Sequence, residues 1–189
     1  TLALSFVSCV SEEDQELPQL NNVIFNEDFQ TAVTGTFDTT NWHNIAKTGT
    51  KIWFQNLYRE NGYFEFSPFG SNEAVNEGWF ITPQIDLNNA NKKAMNFDVA
   101  QHHVIDATNN KLKVFISNDF TGDNFDSATW TEVSFTGPKI GSSNNYDFFK
   151  SGTINLAEFS GKINIAFVAI GGTSSVNAGA YMIDNIKVF

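Results

Sequence analysis

Chemistry in this chain would have to come from its few histidines, its carboxylates, its single thiol or its many aromatic rings. The densest histidine signal is His102-His103 with Asp106 close behind. Zinc takes nitrogen, sulfur or carboxylate ligands that converge on a tetrahedron. Adjacent strand residues face opposite ways, so neighbouring histidines are poorly placed to share one ion. There is no HxxxH-type spacing, and His43 is remote in sequence. These rings are read as partly exposed at a strand end. Glu60 and Glu65 are a conceivable acid and base, but such pairs arise in any β protein this rich in carboxylates. No GxSxG, HExxH, P-loop or GxGxxG is present. The reading is a protein that is not an enzyme.

Two other segments concentrate polar or aromatic groups. Asn118 to Ser127 holds Asp119, Asp123 and Asp126. Its glycine and its missing terminal glutamate do not fit an EF-hand, and no helical pattern flanks it, so Asx turns are the expected role. Trp53, Phe54, Tyr58 and Arg59 stand beside Asn56 and Glu60. Sugar rings stack their C–H faces on aromatic side chains while their hydroxyls take hydrogen bonds. Arg59 is the only arginine, and its fork of donors suits hydroxyl or carboxylate recognition. Trp53, Tyr58 and Arg59 are therefore the candidate ligand contacts. The competing expectation is a strand whose alternate rings face the core. Trp42 and Trp130 are read as core or sheet-edge residues.

The elements that must position these groups are strands. The chain has 189 residues, of which 41% are hydrophobic and only 17% charged, with 19 Phe, four Trp and four Tyr. That composition excludes general disorder, and the length suffices for one domain with a sizeable core. A net charge of −10 argues against a nucleic-acid partner held through phosphates. Apolar alternation with period two recurs at 23–29, 51–55, 62–66, 79–82, 94–101, 111–117, 130–135, 152–156, 162–169 and 180–189. About ten short strands with Asn-, Asp-, Gly- and Ser-rich joints predict an all-β sandwich of two antiparallel sheets. Sheets about 10 Å apart need large inward side chains, so most phenylalanines are assigned to the core.

The N-terminus reads as an address. Thr1 to Ser8 is apolar and too short to span a bilayer. With Cys9 directly after it, the segment resembles the end of a signal peptide and a bacterial lipoprotein box, although Phe6 replaces the usual leucine. The resemblance implies residues 1–8 as a signal remnant and Cys9 as the lipidated first residue of the mature chain. The alternative is an inert cysteine in a buried N-terminal strand. Ser11-Glu12-Glu13-Asp14 resembles the surface-export signal of Bacteroidetes lipoproteins. Residues 9–22 are then the lipidated cysteine and an acidic, flexible tether, and 23–189 a single domain.

The order of landmarks within that domain is more specific. Glu27-Asp28-Phe29 and Trp42 come first, then Gly78-Trp79-Phe80-Ile81-Thr82-Pro83 and Met95-Asn96-Phe97-Asp98. Leu112 to Asp119, Ala128-Thr129-Trp130 and Met182-Ile183-Asp184-Asn185-Ile186 come next. The series resembles the choice-of-anchor J, or cleaved-adhesin (MAM-like), domains of Bacteroidetes surface proteins over residues 21–189. The resemblance implies a galactose-binding-like jelly roll and a non-catalytic module for adhesion or carbohydrate binding. It also implies a structural Ca²⁺ between a first-strand acid, Glu27 or Asp28, and the last-strand Asp184. The functional expectation is a lipid-anchored outer-membrane protein at the cell surface, facing an extracellular glycan or protein partner and touching the membrane only through its lipid. The alternative is a structural or assembly subunit of an envelope complex with no small ligand.

Overall fold

A computed structural model of the chain describes residues 22–140 and 146–189. The expected signal remnant, Cys9 and nearly all of the tether lie outside the described residues. β1 (Phe25–Glu27) is followed by one turn of helix, α1 (Thr31–Thr34). Then come β2 (His43–Thr48), β3 (Phe54–Tyr58), β4 (Asn61–Phe66), β5 (Asn76–Ile81) and β6 (Ile85–Asp86). A 3-10 turn at Leu87–Asn89 leads to β7 (Ala94–His102) and β8 (Lys111–Ser117). β9 (Thr131–Val133), β10 (Phe149–Lys150), β11 (Ile154–Asn155), β12 (Lys162–Gly171) and β13 (Ala180–Val188) complete the chain.

The strands form two sheets, antiparallel throughout. The first runs β10-β7-β13-β4-β3, with β1 also on β13 and β11 also on β7. The second runs β2-β5-β12-β8-β9, with β6 also on β12. The expected β-sandwich is what the chain builds. First and last strands meet as Phe25 opposite Val188 and Glu27 opposite Ile186.

The pleat decides which rings go inside. Phe64 and Phe66 of β4, Phe97 of β7, Phe80 of β5 and Phe167 of β12 all lie in one buried cluster shared by both sheets. Phe64 and Phe80 stack across the gap with centroids 4.3 Å apart at 12°, and Trp42 stacks on Phe80 at 4.6 Å and 15°. Oriented aromatic pairs add about 0.5–1.5 kcal/mol each beyond the area they bury. Gly78 sits mid-strand because a Cβ there would collide with the Phe66 ring. Its carbonyl accepts the Trp53 indole N–H at 3.0 Å.

Outward residues form two smaller clusters. Tyr63, Ala100 and Met182 cluster on the outside of the first sheet with Phe148 packed on them. On the outside of the second sheet, Phe120, Phe125 and Trp130 fold back onto Trp79, Ile81 and Ala166. The predicted strand at 51–55 is displaced to Phe54–Tyr58, because Asn44 clamps the Trp53 backbone. Its Oδ1 accepts the Trp53 N–H at 3.0 Å, and its Nδ2 donates to the Trp53 carbonyl at 2.6 Å.

Candidate functional site

The β3–β4 hairpin closes with Tyr58 opposite Asn61, which leaves Arg59 and Glu60 at its tip. Arg59 has φ +56°, the left-handed conformation such a tight turn needs. Its guanidinium lies 5.3 Å from the centre of the Tyr58 ring, a cation–π contact. Tyr58 is 63% exposed. The sequence placed Trp53 in the same ligand set, and the structure corrects that. Trp53 is 1% exposed and packs on Phe66 and Phe80. No face of its ring is open to a ligand.

Tyr58 stands instead at the edge of a groove of about 680 Å³ on the outer face of the first sheet. Tyr63 and Met182 are its buried floor. Tyr146 and Phe148 form the opposite wall, while Asn61 and Asp147 supply polar groups. Tyr146 is 54% exposed; its N–H donates to the Gln101 carbonyl at 2.8 Å, and its ring stacks on His102 at 4.6 Å and 20°. Phe148 meets Tyr63 edge-on at 5.7 Å. Burial, then the Glu65 charge, pushes the Tyr63 hydroxyl up to about 12, so it stays a neutral donor at physiological pH. The groove thus offers aromatic faces beside an amide and a carboxylate. Sequence reading missed Tyr146 and Phe148, although an aromatic pair around Asp147 repeats the composition that singled out the hairpin.

His102 and His103 depart from simple alternation. His103 has φ +57°, which turns its ring so that the two Nδ1 atoms lie 2.9 Å apart. His102 Nε2 reaches Glu65 Oε1 at 3.3 Å, and Asn56 Nδ2 donates to Glu65 Oε2 at 2.8 Å. Glu65 is thus engaged with an amide and an imidazole, and Glu60 is at the hairpin tip. The 118–127 loop is organised by its own side chains. Asp119 Oδ1 accepts from the Ser117 hydroxyl and the Thr129 N–H, both at 2.8 Å, and Asn124 Oδ1 accepts from the Thr121 N–H at 2.8 Å.

Asp28 and Asp184 come together near Asn61 at the start of β4, with Glu27 on the adjoining β1. Asp184 is 2% exposed. Asn61 Nδ2 donates to its Oδ2 at 3.0 Å, and the Asn185 N–H donates to its Oδ1 at 2.6 Å. Gln30 Nε2 donates to Asn61 Oδ1 at 3.0 Å and to the Asp28 carbonyl at 3.1 Å, linking the chain after β1 to β13 through amides. Glu27 Oε1 accepts from the Phe29 N–H, and Asp28 Oδ1 from the Gln30 N–H. For calcium the fit is incomplete. Amide donors hold these oxygens, and no three His, Cys, Asp or Glu side chains among the described residues are grouped to hold a metal.

No protein-family model matches the sequence, and no curated protein is a significant match. Solved structures share the fold. The K3 cleaved adhesin domain of Lys-gingipain from Porphyromonas gingivalis superposes with a TM-score of 0.55 at 14% identity, over 89% of this chain and 99% of that one. The K1 cleaved adhesin domain of the same protein gives 0.52 at 16% identity, over 87% and 96%. A structure described as showing the promiscuous specificity of carbohydrate-binding modules from the β-sandwich superfamily gives 0.52 at 9% identity, over 86% of this chain and 60% of that one. The fold expected from the order of landmarks is the fold these proteins have.

Burial pushes the Asp184 carboxyl up to about 6, with smaller upward contributions from the Asp98 and Asp28 charges and against the bonds from Asn61 and Asn185. Folding thus favours its protonated form. The stability from this group is complete below the ordinary value of 3.8 and is lost as pH rises through about 6. In EDTA, the stability of the wild type relative to Asp184→Asn should fall across that interval in thermal melts. A difference independent of pH would contradict the burial argument.

Proposed function

We propose that the protein is a non-catalytic carbohydrate-binding module that holds glycan in the groove on the first sheet. The observation that carries this reading is the exposure of Tyr58 and Tyr146 on opposite sides of a floor made by Tyr63 and Met182. Unlike the rings of the core, these have faces left over for a ligand. Stacking supplies the affinity, and the Asp147 carboxylate accepts hydrogen bonds that select among hydroxyls. The Arg59 guanidinium lies against the Tyr58 ring. The fold shared with cleaved adhesin and carbohydrate-binding domains is consistent with such a role. The envelope-assembly alternative would favour a flat surface without rings, and this groove is neither. On a glycan array, the wild type should bind a restricted set of glycans, and Tyr58→Ala and Tyr146→Ala should each weaken that binding about fivefold, one stacked ring being worth about 1 kcal/mol. Retention of binding by both variants would remove the groove from the account.

Cell-surface display belongs to the same proposal and rests on the segment around Cys9. Mass spectrometry of native material should find that thiol acylated and the preceding segment removed; a bare thiol would contradict the anchor. Calcium is proposed as a structural ion held by Glu27 or Asp28 together with Asp184 at the β1–β13 seam, supported by the nearness of the Asp28 charge to the buried Asp184 carboxyl. Calcium should raise the melting midpoint of the wild type and leave Asp184→Asn unmoved; an unchanged wild type would end that part of the proposal.

A further inference from the structure

The outer face of the second sheet carries a different kind of groove, of about 440 Å³. Strand register lays out its floor. Glu77, Ile170 and Lys111 form one row across β5, β12 and β8, and Trp79, Val168 and Lys113 form the next. Lys47 enters from the edge strand, 3.4 Å from Glu77 and 5.3 Å from the centre of the Trp79 ring. At the other end Phe125 and Trp130, brought over by the 118–130 loop, wall the groove, and Phe115 stacks on Trp79 at 5.2 Å.

Three lysines, Lys47, Lys111 and Lys113, line this groove together with the carboxylates of Glu77 and Asp126. Lys47 is balanced by Glu77, and Lys113 by Glu132 at 2.7 Å. Lys111 has no ion pair or side-chain hydrogen bond among the described residues. Lys111 lies beside Ile170 in a groove whose other residues include aromatic rings, and an ammonium without a partner there complements a ligand with one carboxylate on an otherwise neutral, ring-shaped body. A densely charged polyanion would instead meet the repulsion of the whole acidic molecule.

We propose that this groove binds an acidic saccharide through a uronate carboxylate paired with Lys111, its sugar face lying against Phe115 and the Phe125–Trp130 wall. The site is separate from the groove on the first sheet and does not depend on that reading. The probes are cellotetraose and the same tetrasaccharide oxidised to the uronate at its terminal C6, titrated calorimetrically into the whole domain. The uronate should bind the wild type about fivefold more tightly than its neutral parent, the worth of one exposed ion pair, and added salt should shrink the difference. Lys111→Gln should abolish that preference without lowering the melting midpoint, since its ammonium supports no other group. Tyr58→Ala should keep the preference. Equal affinity of the wild type for the two sugars, with absence of binding counted as equal, would overturn the proposal. So would a preference that survives Lys111→Gln, or one lost in Tyr58→Ala, which would move the carboxylate to the first sheet.

Discussion

Phe80 lies between Phe64 of the facing sheet and Trp42, the residue before β2, and this stack bridges the two layers. The pleat then dictates the outer faces. Once Phe64 and Phe66 point inward to meet Phe80, Tyr63 and Glu65 must point outward, and Ile183 inward sends Met182 and Asp184 outward. The groove floor, the buried acid at the seam and the Glu65–His102 contact are all consequences of one choice of register. A slip of one residue in β4 would exchange core for groove.

The β class was legible in the sequence because alternation is local. β8 occupies the predicted residues 111–117, where Leu112, Val114 and Ile116 face in and Lys111, Lys113 and Phe115 face out. The two-residue strands β6 and β10 are too short to leave a periodic signal. The displacement of β3 has another cause: Asn44 holds the Trp53 backbone from nine positions away, and no window of hydropathy registers a side chain bonding to a distant main chain.

The site was legible only in part, for the same reason. Tyr58 and Arg59 could be picked out because hairpin, ring and cation are neighbours in sequence. Tyr146 and Phe148 reach Tyr63 through long-range pairing, in which Phe149 sits opposite Val99 and the Tyr146 N–H bonds to Gln101. Trp53 was misassigned because alternation gives a ring's parity but not which face the sheet will cover. The two histidines escaped alternation through one backbone angle, the positive φ of His103.

Core and outer face divide the aromatic labour. Rings that close the sandwich are buried on every side, whereas on the outer face of the first sheet Tyr58 and Tyr146 stay more than half exposed beside the buried Tyr63. Protein-observed NMR with the glycan that binds most tightly tests this division directly. Resonances of Tyr58, Tyr63, Tyr146 and Phe148 should move together on titration while those of Phe64 and Phe80 stay fixed. Perturbations that bypass the outer face of the first sheet, or that spread through the core stack, would contradict it.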